Sequence, residues 1–319
     1  MIHSKPLSNW LLLLALTVMW GSAFALTKAA VAAIAPQDIV LVRMAIGAIV
    51  LLVVWLAVGR AKLPTGRRLW LFFFLIAVIG NLIPFNLISW GQQYIDSGLA
   101  GLLMAVMPLF TLAIAHYTVP GERLTPARAG GFVIGLIGVG LLLVPDIALL
   151  DSTADRFVPA TVAVLLGAFC YAVSAILSRL RPASDVVSSA TATTLIGALV
   201  MAMVLRPDLP LVQLATIPGT ATIAVLLLGV FSTAIAALVY FYLIERAGPA
   251  FVSQLNYLIP VLAVALGALL YGERPTSSDY LATVIILAGI ALSQRDMEKP
   301  ASRRRQAVAG LVAREAGES

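Results

Sequence analysis

The sequence contains one cysteine and two histidines, and few of its residues are charged. A lone thiol, Cys170, excludes an intrachain disulfide. So few soft ligands leave a structural metal site without its donors. Charged residues make up 11% of the chain, against about 25% in a soluble domain. Aspartate and glutamate are missing from the middle of every long apolar run. A buried pair of catalytic carboxylates and a carboxylate relay for protons are therefore both absent from the reading. Neither GxSxG nor HExxH occurs. Strict apolar–polar alternation is also missing from the long runs, which excludes a membrane-spanning barrel.

What remains is apolar. Hydrophobic residues account for 61% of the chain, and stretches near twenty residues recur from end to end. Each is long enough to cross about 30 Å of hydrocarbon as a helix. The expectation is an all-α integral membrane protein with ten transmembrane helices, over residues 10–31, 39–58, 69–90, 97–118, 127–145, 159–180, 186–205, 220–245, 250–271 and 279–294. His3 and Lys5, a leucine run and Ala23-Phe24-Ala25 also resemble a cleavable signal peptide. The run is long, and its removal would delete a span that the repeat described next requires, so it is read as the first helix.

The net charge of +6 lies in short loops and at the C-terminal end, not in a nucleic-acid-binding patch. With the N-terminus in the cytoplasm, 16 of the 21 lysines and arginines fall on the cytoplasmic side, as the positive-inside rule expects. Both termini are then cytoplasmic. Residues 296–319 form a basic tail in which Arg303, Arg304 and Arg305 suit anionic headgroups or plain solvation. Trp10 and Trp70 read as interfacial belt residues.

Two phrases match. VMPLFTLAIAHYTVPGER at 106–123 and YLIPVLAVALGALLYGER at 257–274 each carry an early proline and a closing Gly-Glu-Arg. Pro108 and Pro260 are 152 positions apart. LTVMWGSAFALTK at 16–28 also overlays GAFCYAVSAILSR at 167–179, pairing Trp20 with Tyr171 and Lys28 with Arg179. The chain thus divides into a five-helix repeat over 1–150 and a second over 151–295. Five is odd, so the second copy enters the membrane with inverted topology, as in many secondary transporters.

Trp20-Gly21, the apolar-Pro-apolar runs, Gly-Glu-Arg and the two five-helix halves together resemble the drug/metabolite transporter superfamily, in particular its EamA-type members. Within them the chain is similar to YddG-type bacterial amino-acid exporters. The resemblance implies a central cavity between the halves, alternating access, a bacterial inner membrane and export of small organic metabolites. Amino acids, aromatic and other neutral ones, are the leading cargo, and no cofactor is implied.

Candidate cargo residues are polar or aromatic groups within the expected spans. Span three offers Asn81, Phe85, Ser89, Trp90 and Gln93 along a shared stripe, with Pro84 freeing a carbonyl one turn earlier. Their alternative role is interhelical bonding. Pro108 and Pro260 are expected to kink spans four and nine, beside Met107 in one and Gln254, Asn256 and Tyr257 in the other. Trp20, Phe24, Tyr171 and Tyr240 supply rings for stacking or for an ammonium group. Lys28 and Arg43 either snorkel to the outer interface or serve the cavity mouth, facing a cargo carboxylate or Asp38. The GxxxG at Gly131 and Gly135 reads as close helix packing, within the chain or in a homodimer. Two other functions compete with metabolite export: a flippase for a lipid-linked intermediate and an intramembrane enzyme.

Overall fold

A computed structural model describes residues 7–58, 65–119, 125–148, 154–205 and 217–294. Among them all regular structure is helical. We label the helices α1 (Leu7–Val31), α2 (Pro36–Val58), α3 (Arg67–Gly91), α4 (Ser97–Thr118), α5 (Pro126–Ala148), α6 (Ala154–Leu180), α7 (Val186–Leu205), α8 (Gly219–Leu227, Leu228–Ile235 and Ala236–Ala247), α9 (Pro249–Val252 and Leu255–Tyr271) and α10 (Ser277–Gln294). Seven, α1–α4 and α6–α8, are long and apolar enough to cross a membrane, and three apolar segments in α5, α9 and α10 are shorter. The basic tail, residues 296–319, and the first Gly-Glu-Arg, residues 121–123, lie outside the described residues.

Some boundaries move outward from the sequence expectation. α2 begins at Pro36. Proline needs no hydrogen-bond partner in a first turn, and Asp38 beside it suits the positive end of the helix dipole. α6 begins at Ala154, ahead of Pro159, so part of the expected polar connection is helical.

The helices are apolar on all sides. Leu13, Leu16, Met44, Leu51, Phe73, Leu103, Leu109, Leu228, Leu243 and Ile286 are fully buried. Leu11, Ile49, Leu56, Leu199, Met203, Leu269 and Val284 are exposed. A water-soluble surface rarely carries so much exposed leucine and valine in continuous faces; lipid is the solvent that accepts it. Trp10 and Trp70 are also exposed.

Packing is closest between α5 and α10 and between α2 and α7. α1 packs on α8 and α9, and α6 packs on α3 and α4, while α4 meets α9 directly. Exchanging residues 7–148 for 154–294 returns the same set of pairs. The α5–α10 contact uses Gly131, Gly135 and Gly138. A Cβ on Gly289 would lie 2.6 Å from the Gly131 carbonyl oxygen and 2.7 Å from the Gly135 nitrogen. A Cβ on Gly138 would meet the Ile286 side chain at 2.7 Å. The GxxxG face is therefore taken up by α10 of the same chain.

Candidate functional site

Four helices lose their regular hydrogen bonding, α3 and α4 in one half and their counterparts α8 and α9 in the other. α3 contains a π-helical segment at Val78–Leu82, and α8 contains one at Leu228–Ile235. Such segments widen the turn and are frequent at functional sites. Pro84 follows the first closely, and its missing donor explains the slack. The second has no proline. There Thr233 Oγ1 donates to the Leu228 carbonyl five residues back, at 2.9 Å.

α4 and α9 are broken outright. Ser97–Met104 ends, Ala105 and Val106 turn, and Met107–Thr118 begins. Pro249–Val252 ends, Ser253 and Gln254 turn, and Leu255–Tyr271 begins. The turns are tight, with Val106 N–H donating to Leu103 at 3.3 Å and Asn256 N–H to Ser253 at 3.1 Å. The expected kinks at Pro108 and Pro260 thus lie a few residues earlier. A proline ring clashes with the turn before it, so the break falls there and Pro108 sits in a first turn, where its missing donor costs little. Pro260 lies inside its helix.

The sequence-derived candidates fall into groups around these irregularities. Phe24, Trp90, Tyr171 and Tyr257 pack half-buried against one core cluster, and Tyr171 also joins Phe85 against another. The Phe85 and Tyr171 rings meet edge to face at 6.3 Å. Trp20 and Tyr240 pack against a third cluster with centroids 5.3 Å apart. Trp20 Nε1 donates to the Ser232 carbonyl at 3.2 Å, and Ser232 Oγ donates to the Met19 carbonyl at 2.8 Å. This ties α1 to the π-segment of α8.

The amides separate by partner. Asn86 Nδ2 donates to the Leu82 carbonyl at 2.8 Å, so it serves the helix. Asn81, Gln254 and Asn256 are half-buried, and their side chains bond to no described residue. Met107 is half-buried at the start of the second α4 segment, and Ser89 is buried. Gln93 does not join the stripe: it is exposed just past α3, where the helix has already unwound, and Gln92 is the buried amide. Gln92 Nε2 donates to the Phe24 carbonyl at 3.1 Å, and its Oε1 is buried without a partner.

Neither Lys28 nor Arg43 snorkels. Lys28 Nζ donates to the Gln92 carbonyl at 3.0 Å and to the Ile95 carbonyl at 2.7 Å. It caps the negative end of α3. Arg43 is 8% exposed. Its Nε donates to Thr233 Oγ1 at 2.8 Å, and its Cζ stands 3.7 Å from the centre of the Phe85 ring.

The second Gly-Glu-Arg has a mechanical role that sequence reading missed. Gly272 ends α9 with φ of 65°, and Glu273 N–H returns to the Gly267 carbonyl at 3.3 Å. This left-handed ending needs glycine and turns the Glu273 carboxylate back toward α4. Oε1 accepts from Ser97 N–H at 2.8 Å and from Ser97 Oγ at 2.7 Å, and Oε2 accepts from Gly98 N–H at 2.9 Å. The second half thereby caps a helix of the first. Gly98 and Gly267 leave the room: a Cβ on Gly98 would be 3.1 Å from Glu273 Oε2, and one on Gly267 would be 3.0 Å from Ser97 Oγ.

A sequence model of the EamA-like transporter family matches residues 8–144 and again residues 158–294. The chain belongs to the EamA-like transporter family. Among its relatives, Protein PagO of Salmonella typhimurium is 28% identical over 94% of this chain and 97% of its own. The "Uncharacterized inner membrane transporter YedA" of Escherichia coli K12 is 28% identical over 88% of each chain. The "Probable terminal-alkyne amino-acid exporter" of Streptantibioticus cattleyicolor is 26% identical over 93% of this chain and 96% of its own. A solved crystal structure superposes with a TM-score of 0.62 at 23% identity, over 92% of this chain and 99% of that one; it shares the fold. This EamA-like protein is a multi-pass membrane transporter of small molecules.

Proposed function

We propose that this transporter exports small organic metabolites, foremost amino acids with aromatic or other neutral side chains, by alternating access in a bacterial inner membrane. The observation that carries the reading is the set of half-buried polar groups without a partner among the described residues, Asn81, Gln254 and Asn256, beside the irregular stretches of α3 and α9. Polar groups at membrane depth are costly unless they face a cavity or a partner. Aromatic surfaces from Trp20, Phe24, Phe85, Trp90, Tyr171, Tyr240 and Tyr257, with Met107, suit an apolar side chain. The relative named as an amino-acid exporter supports the cargo class.

Two five-helix repeats of inverted topology, over 1–150 and 151–295, supply the moving parts. The doubled family match and the pairing that survives exchange of the halves support this. The described contact between α4 and α9 is made by Ser97–Met104 with Leu255–Tyr271, the outer parts of both helices if the termini are cytoplasmic. The halves then rock about the breaks at 105–106 and 253–254, with Pro108 and Pro260 keeping those places irregular and Pro84 doing the same for Val78–Leu82. A flippase would need several basic groups free for a phosphate; Lys28 is already engaged as a helix cap, which leaves Arg43 as the single buried candidate on α1 and α2.

The test is release of a radiolabelled amino-acid mixture from liposomes holding the purified protein, without an ion gradient. Protein-dependent release, lost in Trp20→Ala, is expected. Release no faster than from empty liposomes, with folded protein, would move the reading to another cargo class.

A further inference from the structure

Arg43 is a buried side chain whose hydrogen-bonding capacity the described residues leave largely unused. It lies on α2, about 10 Å along the helix from Pro36 at 1.5 Å per residue. Its surroundings come from both halves: Phe85 of α3, Tyr171 of α6, and Thr233 in the π-segment of α8. A guanidinium has five N–H donors in a fixed fork. One, on Nε, is spent on Thr233. The four on Nη1 and Nη2 bond to no described residue, and no described carboxylate pairs with Arg43. Asp38 is on the same helix, in its first turn, and forms no ion pair with it.

The group is also held in place. Thr233 Oγ1 is fixed by its own bond to the Leu228 carbonyl, and the Phe85 ring covers the guanidinium. The α8 π-segment lies close against α2 here, since a Cβ on Gly229 would come 3.2 Å from the Arg43 carbonyl oxygen. A buried cation without a counter-charge is strongly unfavourable. A hydroxyl and a ring compensate it only in part. What completes such a site is a planar anion that accepts two parallel N–H bonds, which is the geometry of a carboxylate.

We propose that Arg43 binds the carboxylate of the cargo, with Phe85 and Tyr171 lining the adjoining apolar surface. This deepens the reading above and rests on it. The cargo class becomes monocarboxylates with an apolar or aromatic body, α-amino acids included. An α-amino group is not what Arg43 selects.

The test uses isosteric pairs on the purified full-length protein: 3-phenylpropionate against 3-phenylpropionamide, with 2-phenylethylamine as the cationic control. Ligand-induced thermal stabilisation gives the half-maximal concentration of each. The acid is expected to act at a concentration at least about tenfold below the amide, the difference one charge-assisted hydrogen bond makes. Arg43→Gln is expected to bring acid and amide together, and Arg43→Lys to keep a reduced preference for the acid. Should Arg43→Gln not fold, Thr233→Val keeps the test alive: it releases Nε and is expected to weaken the acid severalfold while leaving the amide unchanged. Equal action of acid and amide on the wild type would overturn the proposal and leave the carrier reading standing. So would an acid preference that survives in folded Arg43→Gln. Stabilisation by none of the three compounds would also overturn it, and liposome release of amino acids then decides the carrier reading separately.

Discussion

Glu273 of the second half closes the open first turn of the Ser97–Thr118 helix of the first, through three hydrogen bonds to Ser97 and Gly98. The carboxylate supplies what Asp96 does not, since Asp96 stands at the N-cap position without a side-chain cap bond. Glu273→Ala is expected to lower stability by about 1–3 kcal/mol, the range for hydrogen bonds to a charged group. Thermal unfolding in detergent measures it. Ser97→Ala removes one of the same bonds, so the double variant should lose less than the sum of the single ones. Strict additivity would mean that the two side chains do not act together.

Lys28 makes the opposite cap at the other end of the same short connection, on the Gln92 and Ile95 carbonyls. Lys28→Met is expected to cost about 1–3 kcal/mol, and Lys28→Arg to restore part of it. A merely interfacial lysine would tolerate methionine with little change in melting temperature.

Asn81 and Asn86 separate cargo contact from helix support. Asn81→Leu loses no bond to a described residue and is expected to change stability by less than about 1 kcal/mol while slowing transport about tenfold, the worth of one lost cargo hydrogen bond. Asn86→Leu should show the reverse, with stability reduced and transport by the folded fraction retained. Liposome release and unfolding measured on both variants check the pair. Transport by Asn81→Leu at the wild-type rate would remove Asn81 from the site.

Gly289 and Gly140 give a packing contrast. Gly289→Val drives side-chain atoms into the Gly131 backbone and is expected to cost about 1–3 kcal/mol or more. Gly140→Ala meets nothing within 4 Å and is expected to be neutral or stabilising by up to about 1 kcal/mol, since alanine favours helix. Equal melting temperatures for the two variants would contradict the α5–α10 contact.

Much of the fold was legible because lipid imposes one rule, that apolar runs of sufficient length become helices. The run lengths fixed the helix positions to within a few residues. The places of irregularity were legible only as proline: Pro84 and Pro108 marked α3 and α4, but nothing in LGVFSTAI announced the π-segment of α8. Trp20, Phe24, Phe85, Trp90, Tyr171 and Tyr240 do gather near the irregular helices, since large rings within such runs seek interior surfaces. The residue spacing selects Gln93, but where α3 unwinds decides which amide is buried, and it is Gln92. The snorkelling alternative for Lys28 and Arg43 fails for a related reason. Their partners are a carbonyl pair, a hydroxyl and a ring on other helices, none visible from the spacing of charges. Glu273 stands out in the sequence as part of a repeated phrase, but its role depends on the left-handed Gly272, which aims it at Ser97.

The helices differ in length in a way that reaches beyond the protein. Among the described residues Ser277–Gln294 holds 18 residues, about 27 Å of helix, while Arg67–Gly91 holds 25, nearer 38 Å. Leu281 and Val284 on the shorter side face outward. Lipid acyl chains beside them must compress or tilt to match, at a cost of a fraction of a kcal/mol per Å. Lipid chain length is then expected to act on α10 and α3 differently, a dependence of stability on the surrounding lipid that differs from helix to helix.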